Sequence, residues 1–217
     1  MAETRYPQFC ALARAAEVLG ERWTLLIVRE LLLGPKRFSD LRQRLDGVSP
    51  SVLTERLGRA EELGLVRRMA MPPPVASTVY ELTEHGEALR PAVHELIRWG
   101  GRFLLPRRPR ERVEPEWMRL ALTAMARRTS SPSRTFVLRV REGRKEAVLH
   151  VAGGRAGTRV EAGESTAADT TLALDVPTLL AVAAGRLPLA RAVKSGAVKA
   201  SGDLGAVADF AALFDPC

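Results

Sequence analysis

The sequence predicts an α+β protein with a helix-rich N-terminal half and a C-terminal half in which helices accompany a mainly antiparallel sheet. In the first half, apolar residues recur at helical spacing in two neighbouring segments, residues 38–45 and 50–63, and a strand-like run follows at 65–70. In the second half, two alternating apolar and polar runs flank a Gly-containing turn. Two helices across a short turn, followed by a β-hairpin, are typical of a winged helix-turn-helix domain.

Two helices are expected before this pair. Residues 11–19 place apolar side chains on one face, and Gly20 ends that helix. Residues 22–33 are nearly all apolar, which predicts a central buried helix with Trp23 in the core. Gly34-Pro35 stops it, because proline disfavours the helical conformation of the residue before it.

The helix at residues 50–63 has a strong start signal. Ser49 is the predicted N-cap and Pro50 takes the first helical position, where its missing N–H costs nothing. The buried face is expected to hold Leu53, Leu57, Ala60 and either Leu63 or Leu65. The outward face carries hydroxyls and guanidiniums, which can bond base edges and phosphates in a DNA major groove. The predicted DNA-binding residues here are Ser49, Ser51, Thr54, Arg56 and Arg59.

The hairpin after this helix is the predicted wing, with residues 65–70 paired to 78–82 across a loop at 71–77. A long helix is then expected at 87–104, started by residues 83–86. Its apolar stripe is broad enough to need a partner, most simply a second copy of the chain across a two-fold axis. The predicted dimer interface contains Leu12, Leu89, Val93, Leu96 and Trp99. Such a dimer would bind two DNA half-sites.

A Pro- and Arg-rich segment at residues 106–115 is the predicted domain boundary. Its three prolines prevent a continuous helix, and its clustered arginines favour solvation. We therefore expect a DNA-binding and dimerisation domain at 1–105, a linker at 106–115 and a second domain at 116–217.

Composition limits the classes of protein that this chain can belong to. Its 217 residues, 46% of them hydrophobic, can build the cores of two modest domains, and its net charge of +8 favours polyanionic partners. Two cysteines, Cys10 and Cys217, suit a reducing cytoplasm. The N-terminus lacks the apolar core of a signal peptide, and no apolar run approaches the ~18 residues of a membrane span. We expect a cytoplasmic protein with no membrane partner.

The second half alternates strands and helices. Helices are expected at 116–127, 177–184, 189–194 and 204–214, and strands at 136–141, 147–151, 158–162, 170–174 and 198–201. The first two strands flank a turn at residues 142–145. This order predicts an α+β domain with a mainly antiparallel sheet.

Several motifs of the N-terminal half resemble one family. They are CALARA at residues 10–15, LGERWTLLIVREL at 19–31, GPKRFSDL at 34–41, GVSPSVLTERL at 47–57 and VYELTEHG at 79–86. In this order, over about residues 6–99, they resemble the HxlR-type winged helix-turn-helix transcriptional regulators. The resemblance implies a bacterial, homodimeric regulator that binds a double-stranded DNA operator.

One departure from that family concerns the wing. Family wings often carry a basic residue after the prolines, where this chain has VAST at residues 75–78. We therefore expect the phosphate contacts to come from Lys36, Arg37, Arg67 and Arg68. Such contacts position a protein on DNA but carry little sequence information.

Cys10 has two interpretations. In the resembling family a cysteine near this position can act as a redox sensor, and the charge of Arg14 would favour its thiolate. The interpretation we prefer is a small apolar residue packed at a helix start, because free cysteine is commonly buried.

The C-terminal half resembles the sterol-carrier-protein fold through DTTLALDVPTLL at residues 169–180, AGR at 184–186 and VKSGAVKASGD at 193–203. That family holds lipid-like molecules in an apolar cavity, which implies a small hydrophobic effector. Entry of this effector would shift the C-terminal domain against the long helix and change the spacing of the DNA half-sites that the dimer binds. The predicted pocket residues are Trp117, Leu120, Leu149, Leu172, Leu179, Leu180 and Phe210. The alternative is a packed domain without a ligand, used for dimerisation or spacing.

Catalysis is the competing functional class. His85, His94 and His150 lack the close Cys, His or acidic neighbours of a metal site. The sequence has no nucleophile elbow, and the glycines at 153–157 have the wrong spacing for a dinucleotide loop. We therefore expect no enzyme activity, catalytic residue, cofactor or metal. The other alternative is a lipid or hydrophobic-ligand carrier with a basic accessory domain, which would not need the helix at 50–63.

Overall fold

The structure is a computed structural model that describes residues 6–71, 77–183 and 185–215. The chain divides into two compact units, Met1–Val93 and His94–Cys217. The predicted domain bounds, with a linker at 106–115, stay a prediction. Residues 72–76 of the expected wing loop, Ala184 of an expected helix, and Cys217 lie outside the described residues.

The first unit has a helical core and a small sheet. Its elements are α1 (Ala11–Leu19), α2 (Thr24–Leu32), β1 (Lys36–Arg37), α3 (Phe38–Arg44), α4 (Pro50–Glu62), β2 (Val66–Met71), β3 (Ser77–Leu82), α5 (Glu84–Glu87) and the start of α6 (Arg90–Gly100). The sheet order is β1-β3-β2, and both pairs are antiparallel. The helix pair α3 and α4 and the hairpin β2–β3 confirm the predicted winged helix-turn-helix fold.

Helix α4 begins and ends as its sequence predicts. Ser49 is the N-cap, with its Oγ accepting a hydrogen bond from Val52 N at 3.3 Å, and Pro50 is the first helical residue. Gly64 follows the helix with a φ of 66°, a left-handed conformation that glycine adopts without steric cost. The buried face includes Leu65 rather than Leu63, because Leu65 lies beyond the turn at Gly64 and enters the core.

Helix α2 begins two residues later than expected. Trp23 has a φ of 82° and is the N-cap of α2, so it breaks the run at residues 22–33. Its side chain is half-buried, and the Arg22 guanidinium lies 4.9 Å from the ring centroid. The prediction of a fully buried Trp23 inside this helix is therefore wrong.

The expected long helix at residues 87–104 is interrupted. Its start belongs to α5, which ends at Glu87, and α6 begins only at Arg90, followed by a 3₁₀ turn at Gly101–Phe103. Pro91 explains the break, because its ring clashes with the carbonyl four residues earlier and it donates no helical hydrogen bond. Residues 88 and 89 form a turn between α5 and α6.

The second unit contains a five-stranded sheet. Its elements after α6 are α7 (Trp117–Met125), β4 (Thr135–Glu142), β5 (Lys145–Ala152), β6 (Arg159–Ala162), β7 (Thr170–Asp175), α8 (Val176–Ala183), α9 (Leu189–Lys194), β8 (Lys199–Gly202) and a 3₁₀ helix at Leu204–Leu213. The order is β6-β5-β4-β7-β8, and only β4 with β7 is parallel among these pairs. The predicted mainly antiparallel sheet is confirmed, whereas the last helix has 3₁₀ geometry.

Burial explains how this sheet is held. Successive side chains of β4, β5 and β7 point to opposite faces of the sheet. The side chains on the inner face form one core with α7, α8 and the final 3₁₀ helix. Phe210 lies at its centre, with edge-to-face contacts to Phe136 at 5.1 Å and to Phe214 at 5.3 Å between ring centroids.

Candidate nucleic-acid interface

The exposed face of α4 is the centre of the candidate interface. Leu53, Leu57 and Ala60 face the core, so the helical repeat turns the remaining positions outward. The exposed side chains among these include Ser51, Thr54, Glu55 and Arg59. One face of α4 therefore presents two hydroxyls and a guanidinium, groups that can form hydrogen bonds with base edges in a DNA major groove.

The hydroxyls near the start of α4 are already engaged. Ser49 Oγ caps the helix and lies 3.1 Å from Ser51 Oγ, and Thr54 Oγ1 donates a hydrogen bond to Pro50 O at 2.9 Å. Thr54 Oγ1 can still accept a hydrogen bond, since it donates its proton to Pro50 O and keeps two lone pairs. Ser49 thus shapes the helix start whether or not it also meets a phosphate.

The two arginines of α4 differ in availability. The Arg56 side chain is only 14% exposed and binds Glu21 at 2.8 Å, so it attaches α4 to the turn before α2. The Arg59 side chain is 47% exposed and binds Glu62 on the same helix at 3.1 Å. Of the two, Arg59 is the better placed for a base contact.

The predicted phosphate contacts lie on the sheet. Arg67 Nε binds Glu81 on the facing strand at 2.6 Å, and Arg68 binds Glu61 at 3.0 Å while its guanidinium lies 5.4 Å from the Tyr80 ring centroid. Both arginines are more than half exposed. Phosphates would thus compete with acidic neighbours for these two guanidiniums.

The short strand β1 carries the other two predicted phosphate contacts. Arg37 is exposed, and Lys36 is half-buried. They pair with Val79 and Tyr80 of β3, which fixes them on the edge of the wing sheet. The backbone therefore holds these two residues in place.

A buried charge network supports the helix pair. Glu30 of α2 is fully buried, and it binds Arg29 at 2.7 Å and Arg44 of α3 at 2.6 Å. Sequence patterns did not predict this network. The one signal in the sequence was Glu30 within the mainly apolar α2, because a carboxylate that is buried needs a cationic partner.

The predicted dimer residues fall into two groups. Leu12, Leu96 and Trp99 are exposed, whereas Val93 is buried and Leu89 half-buried within the single chain. The exposed group has an unpredicted neighbour in Phe103, whose ring centroid lies 5.1 Å from that of Trp99. Val93 therefore packs in the core of one chain and is poorly placed for an interface.

Cys10 is exposed, so the preferred interpretation of a packed residue is wrong for the single chain. The guanidinium of Arg14 binds Glu17 at 3.0 Å, which places its charge in another ion pair. The redox interpretation stays a prediction.

The predicted ligand-pocket residues lie together in the second unit. Leu149, Leu172, Leu179 and Phe210 belong to its core, with Trp117 and Leu180 packed against it, and Leu120 is buried as well. All of them except Leu120 belong to, or pack against, this one core. An open depression of about 480 Å³ is lined by other residues, which include Arg127 and Arg159. Their role as ligand contacts stays a prediction.

Metal-binding clusters and membrane-spanning helices are absent from the part of the chain that the structure describes. No group of three or more His, Cys, Asp and Glu residues among the described residues could hold a metal ion. None of the helices in this part of the chain has the length and apolar character needed to cross a bilayer.

Comparison with known proteins yields two family matches. The model of the HxlR-like helix-turn-helix family matches residues 18–108, which include α2 to α6. The model of the SCP-2 sterol transfer family matches residues 116–215, which include the five-stranded sheet.

Individual relatives agree with the first match. The HTH-type transcriptional regulator YvaP of Bacillus subtilis (strain 168) is 38% identical over 93 residues, 43% of this chain and 86% of YvaP. YodB of the same organism is 36% identical over 92 residues, 42% of this chain and 82% of YodB. The solved reduced form of YodB covers 46% of this chain and 98% of its own, with 34% identity and a TM-score of 0.40. The chain belongs to the HxlR-like helix-turn-helix family of transcriptional regulators, and its C-terminal half matches the SCP-2 sterol transfer family.

Proposed function

We propose that the protein binds a double-stranded DNA operator as a homodimer, with α4 of each copy in the major groove. The observation that carries the proposal is the division of α4 into a buried face and a face with Ser51, Thr54 and Arg59 exposed. A helix of 13 residues presents such a face over more than three turns, enough to cross a major groove.

Different residues carry different parts of this binding. Thr54 and Arg59 contact base edges and set specificity, together with Ser51. Lys36, Arg37, Arg67 and Arg68 contact phosphates and set position and salt dependence. Arg56, held by Glu21, supports the angle of α4 and acts on DNA indirectly.

Dimerisation completes the proposal. Leu96 and Trp99 of α6 expose apolar surface that a second copy would cover, and Phe103 contacts Trp99. Leu12 of α1 is a further exposed apolar residue. Two recognition helices related by a two-fold axis would bind half-sites about one helical turn apart.

A ligand-binding role of the second unit is the second part of the proposal. The match of residues 116–215 to the SCP-2 sterol transfer family supports it. A small hydrophobic molecule would enter between the sheet and the helices and displace the packing around Leu172 and Phe210, both buried. A concentration-dependent rise in melting temperature with such a molecule would support this part, and an unchanged melting temperature at saturation would contradict it. The proposal contains no catalytic step and places the action on cytoplasmic DNA.

Alanine substitutions test the DNA-binding part. Thr54→Ala and Arg59→Ala should each reduce the preference for operator over random DNA, by about 1–3 kcal/mol for a lost base contact. Arg67→Ala should weaken binding to both DNAs equally and lower the slope of log affinity against log salt by about 1. Arg186→Ala, at an exposed position of the second unit, is the control. Equal preference for operator in all four variants and the wild type would contradict the proposed role of α4.

A further inference from the structure

An open depression in the second unit has cationic walls. It has a volume of about 480 Å³, and the residues that line it include Arg127, Arg128 and Arg159 together with Glu161. A volume of this order accommodates a small molecule. The predicted apolar pocket residues, such as Leu172, do not line it.

The backbone around the depression is fixed by close contacts. Thr158 N donates a hydrogen bond to Arg127 O at 2.8 Å, and Thr158 Oγ1 bonds to Ser131 Oγ at 3.1 Å. Gly157 allows the segment before β6 to approach the segment after α7, because a Cβ at that position would lie 2.4 Å from Arg127 O. The end of α7 and the start of β6 are therefore held together, and their guanidiniums project from a rigid frame.

The three guanidiniums have different partners. Arg127 binds Asp215 at 3.3 Å, and Arg128 binds Glu95 of α6 in a short contact. The exposed guanidinium of Arg159 makes no hydrogen bond or ion pair within the described residues. Arg159, which has no counter-charge in the described part of the chain, and the ion-paired Arg127 and Arg128 line the same depression. Three such guanidiniums favour an anionic ligand with several acceptor oxygens.

Glu95 connects this depression to α6. The hydrogen bond from Arg128 holds the pKa of Glu95 below its ordinary value, so the carboxylate is ionised at neutral pH. A second contact of α6 is made with α7, since Arg98 donates a hydrogen bond to Ala124 O. Both partners of the Arg128–Glu95 pair are more than half exposed, which leaves it open to competition.

We propose that the depression binds a small molecule bearing a phosphate or carboxylate group, and that this anion takes Arg128 from Glu95. The ion pair between Arg128 and Glu95 of α6 is then lost. Because α6 carries Leu96 and Trp99 of the proposed dimer face, anion binding would change the dimer and thereby operator affinity. This regulatory consequence rests on the proposed function, whereas the site itself does not.

Titration of the full chain with inorganic phosphate, and separately with acetate, tests the site. Saturable changes in the backbone NMR signals of residues 156–161 are expected in the wild type and in Arg186→Gln. Binding should be at least about tenfold weaker in Arg159→Gln, which removes one charge-assisted contact. The tighter of the two probes assigns the ligand class. Equal affinities in the two variants, or changes spread over all surface arginines, would overturn the site.

The competition has a test of its own. Glu95→Gln removes the rival carboxylate, so phosphate should bind about fivefold more tightly. Glu146→Gln is the matched control, because Glu146 is likewise ion-paired to arginine but lies six residues along β5 from Ala152, which pairs with Arg159. Equal phosphate affinity in these two variants would overturn the competition.

The two proposals fail in different ways. The titrations need no DNA, so a chain that binds phosphate as described and no operator would contradict the proposed function and leave the site standing. A chain that binds its operator but shows no saturable anion binding would overturn the site alone. If phosphate binds but leaves operator affinity unchanged at matched ionic strength, the regulatory consequence is wrong.

Discussion

Glu30 of α2 accepts a hydrogen bond from Arg44 of α3, with 2.6 Å between Oε2 and Nε, and its carboxylate is completely buried. Arg29 binds the other oxygen of the carboxylate, Oε1, at 2.7 Å. The pair joins the central helix to the first helix of the helix-turn-helix. Since α3 leads into α4 through a short turn, this buried charge helps to position α4, the proposed recognition helix.

Glu30→Gln should lower the free energy of unfolding of the first unit by about 3 kcal/mol, because two guanidiniums would lose their buried counter-charge. Glu62→Gln removes the exposed partner of Arg59 and should cost at most about 1 kcal/mol. Urea denaturation followed by tryptophan fluorescence measures both. Equal losses in the two variants would contradict a structural role of the Glu30 network.

Ser49→Ala should destabilise the first unit by about 1 kcal/mol, because the N–H of Val52 loses its capping acceptor. Ser49→Asp should retain that stability, because aspartate caps equally well, yet its charge would weaken operator binding if Ser49 lies near a phosphate. Denaturation and DNA titration of both variants separate the two roles. An unchanged stability of Ser49→Ala would show that the cap contributes little.

Acidification should destabilise the second unit. Hydrogen bonds from the Thr135 backbone and side chain, at 2.7 and 2.9 Å, hold the pKa of Asp169 below its ordinary value. Burial alone would raise the pKa of Glu114, but hydrogen bonds from Lys145 and Arg112 outweigh it and the pKa is lowered. A carboxyl whose pKa is depressed on folding stabilises the fold above its unfolded pKa of about 4, and that stability is lost as pH falls through the folded pKa.

The Asp169→Asn variant checks this pH dependence. Its stability should lie below that of the wild type at pH 7, and the difference should shrink below about pH 4 as the wild-type carboxyl is protonated. Thermal denaturation between pH 2 and 7 measures the difference. A gap that stays constant over this range would show that the charge of Asp169 is not the cause.

Trp99→Glu should convert a dimer into monomers without unfolding the chain, because Trp99 is 58% exposed and a charge there would be buried on association. Leu204→Glu is the matched control, since Leu204 is also 58% exposed but lies in the final 3₁₀ helix. Sedimentation velocity gives the mass of each variant. Dimers of equal stability in both variants would exclude Trp99 from the interface.

The local signals of the sequence predicted much of the fold. The Ser49-Pro50 start of α4 and the alternation in β4 and β5 place the elements within one or two residues of their observed bounds. The helix start and the strand alternation both depend on residues close together in the sequence, so they can be predicted from the sequence alone. The interruption at Pro91 was also encoded locally, but the apolar stripe on both sides concealed it.

The candidate site was less predictable because it depends on long-range ion pairs. Arg56 was predicted to contact DNA because it is an arginine near the outward face of α4. Its guanidinium instead binds Glu21, which lies 35 positions earlier in the sequence. The same holds for Glu30 with Arg44 and for Arg128 with Glu95, whose partners meet only after the helices pack. Sequence patterns identify faces of helices, whereas the partner of a long charged side chain follows from the tertiary fold.

The most direct test of the central claim is a salt-dependent binding assay of the full chain on DNA upstream of its own gene and on random DNA of equal length. We predict a preference of at least about 10³-fold for the upstream DNA at physiological salt, which persists as salt rises while both affinities fall. Equal affinity for the two DNAs at every salt concentration would contradict the assignment of α4 as a sequence-specific recognition helix.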